Sequence, residues 1–123
     1  MDLEQHIKET CEHLEKTVSL MGCKLCKKLS YIETLEDVLI VLLNENDKGA
    51  VSGARYLIGV YLGEIVLNQT GGEWFKSEVN NHLALRINNQ QSFPIEAVED
   101  FIQQPVKGKL QIFAKGLTVV HCV

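Results

Sequence analysis

The stretch AVSGARYLIGVYLGEIVLNQTGG, residues 50–72, decides the fold of this chain. Between residues 50 and 69 it is apolar on nearly every side, which is typical of a helix that is buried all round. Small residues share one line along this helix: Ser52, Gly59 and Gly63. Because glycine inside a helix costs on the order of 1 kcal/mol relative to alanine, this line indicates that another backbone packs closely there. Gly71 and Gly72 can supply the positive φ that ends a helix, so we predict the central helix of the core over residues 50–69.

Two helices are predicted before this stretch. In residues 2–28 the apolar positions recur every three or four residues, the period of an amphipathic helix: Leu3, Ile7, Cys11, Leu14 and Val18. Gly22 offers a place where this helix can break. Thr34, which is followed by acids, predicts the N-cap of a second helix that runs to Leu43, with a loop over residues 44–49 after it.

After the paired glycines the pattern changes to that of strands. Residues 74–79 and 82–88 form two short runs, and the asparagines between them at positions 80 and 81 tolerate left-handed backbone, so an antiparallel hairpin is predicted. Phe93 and Pro94 open a short helix that ends before Pro105. Residues 110–120 fit either a helix or a strand, and a helix is the preferred interpretation.

The order of these elements predicts the fold class. Helices come first, and a small hairpin with further helix follows, which argues for an α+β domain and against a βαβ sheet. We predict N-terminal helices with a buried central helix packed on a small antiparallel β-sheet. The chain has 123 residues, which suits a single domain over residues 1–123, since domains most often have roughly 100–150 residues.

The composition predicts a cytoplasmic protein without a membrane span. No uninterrupted apolar run reaches the roughly 18–20 residues that a bilayer span needs, and the acidic N-terminus lacks the pattern of a secretory signal. In the reducing cytosol four free thiols are expected: Cys11, Cys23, Cys26 and Cys122. Cys23 and Cys26 have the spacing of zinc and redox sites, but no second ligand pair accompanies them. Structural thiols are expected, with metal binding and redox chemistry as alternatives, and neither a metal site nor a cofactor is predicted.

The charge distribution favours a basic partner. The net charge is −4, and residues 33–100 carry eleven acids against four bases. Such a surface disfavours phosphate backbones and membrane surfaces and favours basic proteins, although solubility alone also explains it. We therefore predict a protein partner, and neither nucleic acid nor a membrane.

Glu64 and Trp74 are the two most informative side chains. Glu64 interrupts the apolar central helix, and a buried carboxylate needs a donor. It therefore reaches solvent, pairs with Arg55 or Arg86, or lines a pocket as a general base or ligand contact. Trp74 fills the core or is an exposed binding anchor, with Phe75 on the opposite side of the strand.

Three motifs follow one another along the chain: Tyr61-Leu62-Gly63-Glu64, Gly71-Gly72-Glu73-Trp74 and Phe93-Pro94-Ile95. Their order over residues 51–117 resembles that of small bacterial domains of unknown function, in which a helix with Tyr-Leu-Gly-Glu ends in Gly-Gly-x-Trp before a strand pair. Some of these small acidic proteins are similar to the immunity proteins that neutralise polymorphic or contact-dependent toxins. The resemblance implies a protein that acts by binding another protein.

The predicted function is therefore protein binding rather than catalysis. An immunity protein would cover the active site of a basic toxin domain, for instance a nuclease, with its acidic surface. The predicted partner-binding residues are Glu73, Trp74, Glu78, Glu96, Glu99 and Asp100. One alternative is a small enzyme of unknown reaction that uses Glu64 in a pocket with Arg55. Another is a homo-oligomeric structural protein, such as a homodimer joined through the first helix.

Overall fold

The computed structural model describes residues 2–77 and 83–119, and these form helices and a three-stranded sheet. The helices are α1 (Leu3–Leu20), α2 (Ile32–Asn44), α3 (Lys48–Thr70), α4 (Pro94–Gln103) and α5 (Lys109–Val119). The strands are β1 (Glu73–Lys76), β2 (Leu83–Ile87) and β3 (Gln90–Ser92). The predicted α+β class is confirmed, because the helices pack on one another and on a small antiparallel sheet.

Helix α3 is the centre of the fold, as predicted. It contacts all four other helices, and its middle turns bury residues such as Ile58 and Ile65 completely. Asp47 caps its N-terminus by accepting a hydrogen bond from the Ala50 N–H at 3.1 Å. Gly71 ends it with a φ of 74°. By length and composition alone α3 could also cross a membrane, but half of its apolar window is buried inside this fold, as in the core helix of a globular domain.

The line of small residues on α3 is where neighbouring elements approach most closely. A Cβ on Gly59 would lie 2.7 Å from the Cα of Ile95, so the backbone of α4 fills this place as predicted. A Cβ on Gly63 would collide with the indole ring of Trp74, so a side chain covers the second glycine. Ser52 is exposed. The prediction of a closely packed backbone is therefore correct at Gly59 only.

Helices α1 and α2 do not have the predicted ends. Helix α1 ends at Leu20 and not near residue 28; the break offered at Gly22 is confirmed, because Gly22 adopts a left-handed φ of 85° and turns the chain. Helix α2 begins at Ile32, so Thr34 lies inside its first turn and is not the N-cap. Ile32 is only 1% exposed, so burial of an apolar side chain, not a capping hydroxyl, sets this start. The following loop covers residues 45–47 only.

The sheet contains the predicted hairpin and one further strand. Strands β1 and β2 are antiparallel, with Trp74 opposite Leu85; the asparagine turn predicted between them lies outside the described residues. Strand β3 pairs with β2 through a tight turn in which Asn88 and Asn89 have φ of 50° and 66°. Positive φ at both central residues is typical of a two-residue hairpin. The sequence pattern missed β3 because its three residues are polar and show no alternation.

Helix α5 confirms the helical interpretation of the C-terminal stretch up to Val119, and Glu36 of α2 holds its start. Glu36 is fully buried. Its carboxylate accepts hydrogen bonds from the Gly108 N–H at 2.9 and 3.0 Å, from the Leu110 N–H at 2.9 Å and from the Gln111 amide at 2.8 Å. The first N–H groups of a helix lack acceptors within the helix and form the positive end of its dipole. A carboxylate at this end therefore accepts their hydrogen bonds and is also attracted by the dipole. The sequence pattern identified Glu36 only as an acid in the first turn of α2.

Candidate functional site

A groove of about 670 Å³ lies between α1, the C-terminal half of α3 and β1. Of the predicted pocket residues Glu64 and Arg55, it contains Glu64. Its apolar lining comes from Leu3, Ile7, Leu67 and Trp74. Its charged lining comes from Glu4, Lys8, Lys27, Glu64 and Glu73. The lining is thus mixed, with charged side chains about as numerous as apolar ones, which suits a partner that offers both charge and apolar surface.

Glu64 is held at the groove by two donors. Its Oε2 accepts a hydrogen bond from the indole N–H of Trp74 at 3.1 Å, and its Oε1 lies 3.7 Å from the Nζ of Lys27. The side chain of Glu64 keeps 23% of its surface exposed. The predicted pairing of Glu64 with Arg55 or Arg86 is therefore wrong. Lys27, in the connection between α1 and α2, was missed because a lysine in a polar segment carries no signal of its own.

Trp74 and Phe75 lie on opposite sides of β1, as the strand period requires. The indole of Trp74 covers Gly63 and is half-buried, so Trp74 fills space over α3 while still lining the groove. On the other side, the guanidinium of Arg86 stacks over the Phe75 ring at 4.3 Å from its centroid. Arg86 also binds Glu73 at 3.3 Å, and the Glu73 side chain remains 65% exposed. Glu73 therefore borders the groove, but its carboxylate is paired with Arg86 on the Phe75 side of the strand.

The buried polar groups near α1 are protonated and poorly suited to chemistry. Desolvation raises the pKa of Cys11 to about 12. Burial, together with a 2.7 Å hydrogen bond that its hydroxyl donates to Glu15, raises the pKa of Tyr61. Cys23 is exposed and Cys26 half-buried, and both are free thiols. Within residues 2–77 and 83–119 no three His, Cys, Asp or Glu side chains are grouped to hold a metal ion.

Arg55 does not share a site with Glu64. The two are nine positions apart on α3, which separates them by about 13 Å along the helix axis. Arg55 instead lies 3.5 Å from Glu99 of α4, and both line a cavity of about 410 Å³ at the N-terminal end of α3. Glu64 and Arg55, which were predicted to share one pocket, therefore line two separate depressions.

The remaining predicted acids lie away from the groove. Asp100 binds Lys109 of α5 at 2.9 Å, and half-buried Glu96 lines the same shallow depression between α4 and α5. Glu78 lies outside the described residues. Of the predicted partner-binding set, only Glu73 and Trp74 lie in the groove with Glu64.

No family model, no curated protein and no solved structure matches this chain. The chemistry of the groove is that of an acceptor for positive charge. Its described lining contains three carboxylates, two lysines and one asparagine, but no serine, cysteine or histidine. That set can bind a cationic or hydrogen-bonding group.

Proposed function

We propose that this chain is a protein-binding protein, one whose groove between α1, α3 and β1 receives part of a basic partner such as a toxin domain. The observation that carries this proposal is the meeting of Glu64, Glu73 and Trp74 in one groove with an apolar lining. The sequence points to these same residues for separate reasons. Glu64 is a charge inside an apolar helix, and Trp74 is an aromatic residue beside the acid Glu73.

The electrostatics of the chain support the same proposal. A net charge of −4, with the acids concentrated in residues 33–100, would speed association with a basic protein. The groove would supply the short-range contacts that hold the complex together, because tryptophan is among the residues that most often dominate binding energy in interfaces. Glu73 at the border of the groove and Glu64 within it offer carboxylates to a partner.

The test compares three immobilised proteins in a capture experiment on lysate of the organism that encodes the chain. They are the wild type, the groove variant Glu64→Gln/Glu73→Gln, and the control Glu12→Gln/Glu45→Gln. The control removes the same charge from two exposed positions outside the groove. We expect a basic protein that binds the wild type and the control alike and binds the groove variant about tenfold more weakly or worse, a loss of about 1.4 kcal/mol.

The function itself is tested by co-expression. The captured protein should harm cells when expressed alone, and the wild-type chain should protect them, while the groove variant should not. Identical capture by all three proteins would show that the groove is not the binding surface. Protection by the groove variant at equal expression would contradict the proposal as well.

A small enzyme that uses Glu64 as a general base is the second candidate. The observation in its favour is that Glu64 faces a groove large enough for a small substrate. Against it, both carboxylate oxygens already face donors, Trp74 and Lys27. A hydrolytic or isomerising activity that disappears in Glu64→Gln but survives in Glu12→Gln would favour the enzyme.

A further inference from the structure

We propose that the groove binds an arginine side chain of the partner protein, which takes the place of Lys27 at Glu64. This inference rests on the proposed function and specifies the chemistry of the partner at that site. The free chain holds a cation against Glu64 with its own Lys27, and the partner supplies a better one.

The bonding of Glu64 leaves room for a second donor. Its Oε2 accepts one hydrogen bond, from Trp74, and a carboxylate oxygen can accept two. Its Oε1 faces Lys27 at 3.7 Å, which is an ion pair too long to be a hydrogen bond. The Glu64 carboxylate is thus oriented by the indole but not saturated.

Lys27 is bound only weakly at the Glu64 carboxylate. Its side chain is 33% exposed, and a lysine in a connecting segment loses rotamer freedom when it is held in one position. An arginine offers several N–H groups in a planar fork, which matches the two oxygens of a carboxylate, and its plane can stack on an aromatic ring. The Trp74 indole lies at the same point of the groove as the Glu64 carboxylate.

The charge of the groove complements such a guest. With Lys27 withdrawn, the carboxylates of Glu4 and Glu64 face one lysine of the described lining, Lys8, while Glu73 is paired with Arg86. The apolar lining can receive the methylene stem of the arginine and an apolar neighbour in the partner. A guanidinium therefore fits better than an anion or a neutral polar group.

The experiment titrates the full chain with two capped tripeptides, leucyl-arginyl-leucine and the same peptide with neutral citrulline in place of arginine. Trp74 is the only tryptophan, so its fluorescence reports directly from the site. The variants are Lys27→Met, Glu64→Gln and the control Lys24→Met, which removes the same charge from an exposed neighbour outside the groove lining. Circular dichroism checks that each variant is folded.

We expect the wild type to prefer the arginine peptide. Lys27→Met should bind the arginine peptide about two- to fivefold more tightly than Lys24→Met does, the range that a partly exposed ion pair is worth. Glu64→Gln should bind both peptides equally. Equal affinity of the wild type for the two peptides, no saturable signal with either, or equal effects of Lys27→Met and Lys24→Met would overturn the inference.

The failures of the two proposals can be told apart. If partner capture depends on Glu64 and Glu73 while citrulline serves as well as arginine, the groove binds a partner but not through a guanidinium. If the arginine peptide binds as expected while capture ignores the groove variant, the arginine site stands and the proposed function falls.

Discussion

Replacing Glu36 with alanine is expected to destabilise the whole domain, although Glu36 lies outside the groove. Its carboxylate satisfies the backbone N–H groups of Gly108 and Leu110 and the side-chain amide of Gln111. Glu36 itself is fully buried. Alanine would leave the buried Leu110 N–H without an acceptor and would remove the acceptor of the part-buried donors of Gly108 and Gln111.

The expected loss in free energy of unfolding is about 3–5 kcal/mol: about 1–3 kcal/mol for the buried Leu110 N–H left unsatisfied, a smaller amount for the part-buried donors of Gly108 and Gln111, and the rest from the cavity that the shortened side chain leaves. For a chain of 123 residues this corresponds to a fall in Tm of roughly 12–20 °C, since unfolding entropy is about 2.1 cal/mol/K per residue. Glu36→Gln keeps one acceptor oxygen and should lose about 1–3 kcal/mol.

The assay is denaturant unfolding followed by far-UV circular dichroism and by the fluorescence of Trp74, with Glu33→Ala as the control. Glu33 is on the same helix and binds Lys107 at 3.2 Å, but both side chains are at least half exposed, so its removal should change stability little. Hydrogen exchange should show the amides of α5 opening first in Glu36→Ala. If Glu36→Ala and Glu33→Ala unfold at the same denaturant concentration, the hydrogen bonds of Glu36 to the start of α5 do not stabilise the fold.

Other predictions concern packing, pH and assembly. Gly63→Ala should destabilise the chain and shift the indole fluorescence, whereas Gly53→Ala, where a Cβ would contact nothing within 4 Å, should stabilise it by up to about 1 kcal/mol. The pKa of Cys11 is raised from 9.0 to about 12, so its contribution to stability is complete below pH 9 and is lost as the pH rises towards 12; thermal melts across that range should fall less steeply for Cys11→Ala than for the wild type. Among Cys11, Cys23 and Cys26, the cysteines of the described residues, a thiol reagent should label exposed Cys23 first and Cys11 only on unfolding. Light scattering should give a monomer, because the apolar face of α1 that suggested a homodimer is buried within the chain.

The elements that could be predicted are those whose signals are local in sequence. The apolar period of α3 and its glycine end at Gly71 lie within one stretch, and Pro94 marks the start of α4 directly. The helix ends that could not be predicted depend on tertiary burial. Helix α2 begins at Ile32 because this side chain is buried in the core, and no sequence pattern within α2 indicates that burial. Strand β3 forms because a turn of two asparagines returns the chain to β2, not because its own residues favour a strand.

The same distinction applies to the candidate site. Glu64 and Trp74 stand out in sequence because a charge in an apolar helix and a tryptophan after a helix end are unusual. That they bind each other, and that Lys27 faces Glu64, does not follow from the sequence, because hydrophobic periodicity shows which face of a helix is buried but not which residue it meets. The contact between Tyr61 and Glu15 spans 46 positions of the chain, and no local pattern predicts a pairing at that separation.

Helix α5 depends on a residue made long before it. The position before it is Gly108, which has no side chain with which to cap a helix, and the acceptor comes from Glu36, 72 positions earlier. During synthesis α2 would therefore leave the ribosome with an ionisable group that the interior cannot yet accommodate. We therefore expect α2 to settle fully into the core only when the segment that carries α5 has been made, so that α5 completes the packing around Glu36.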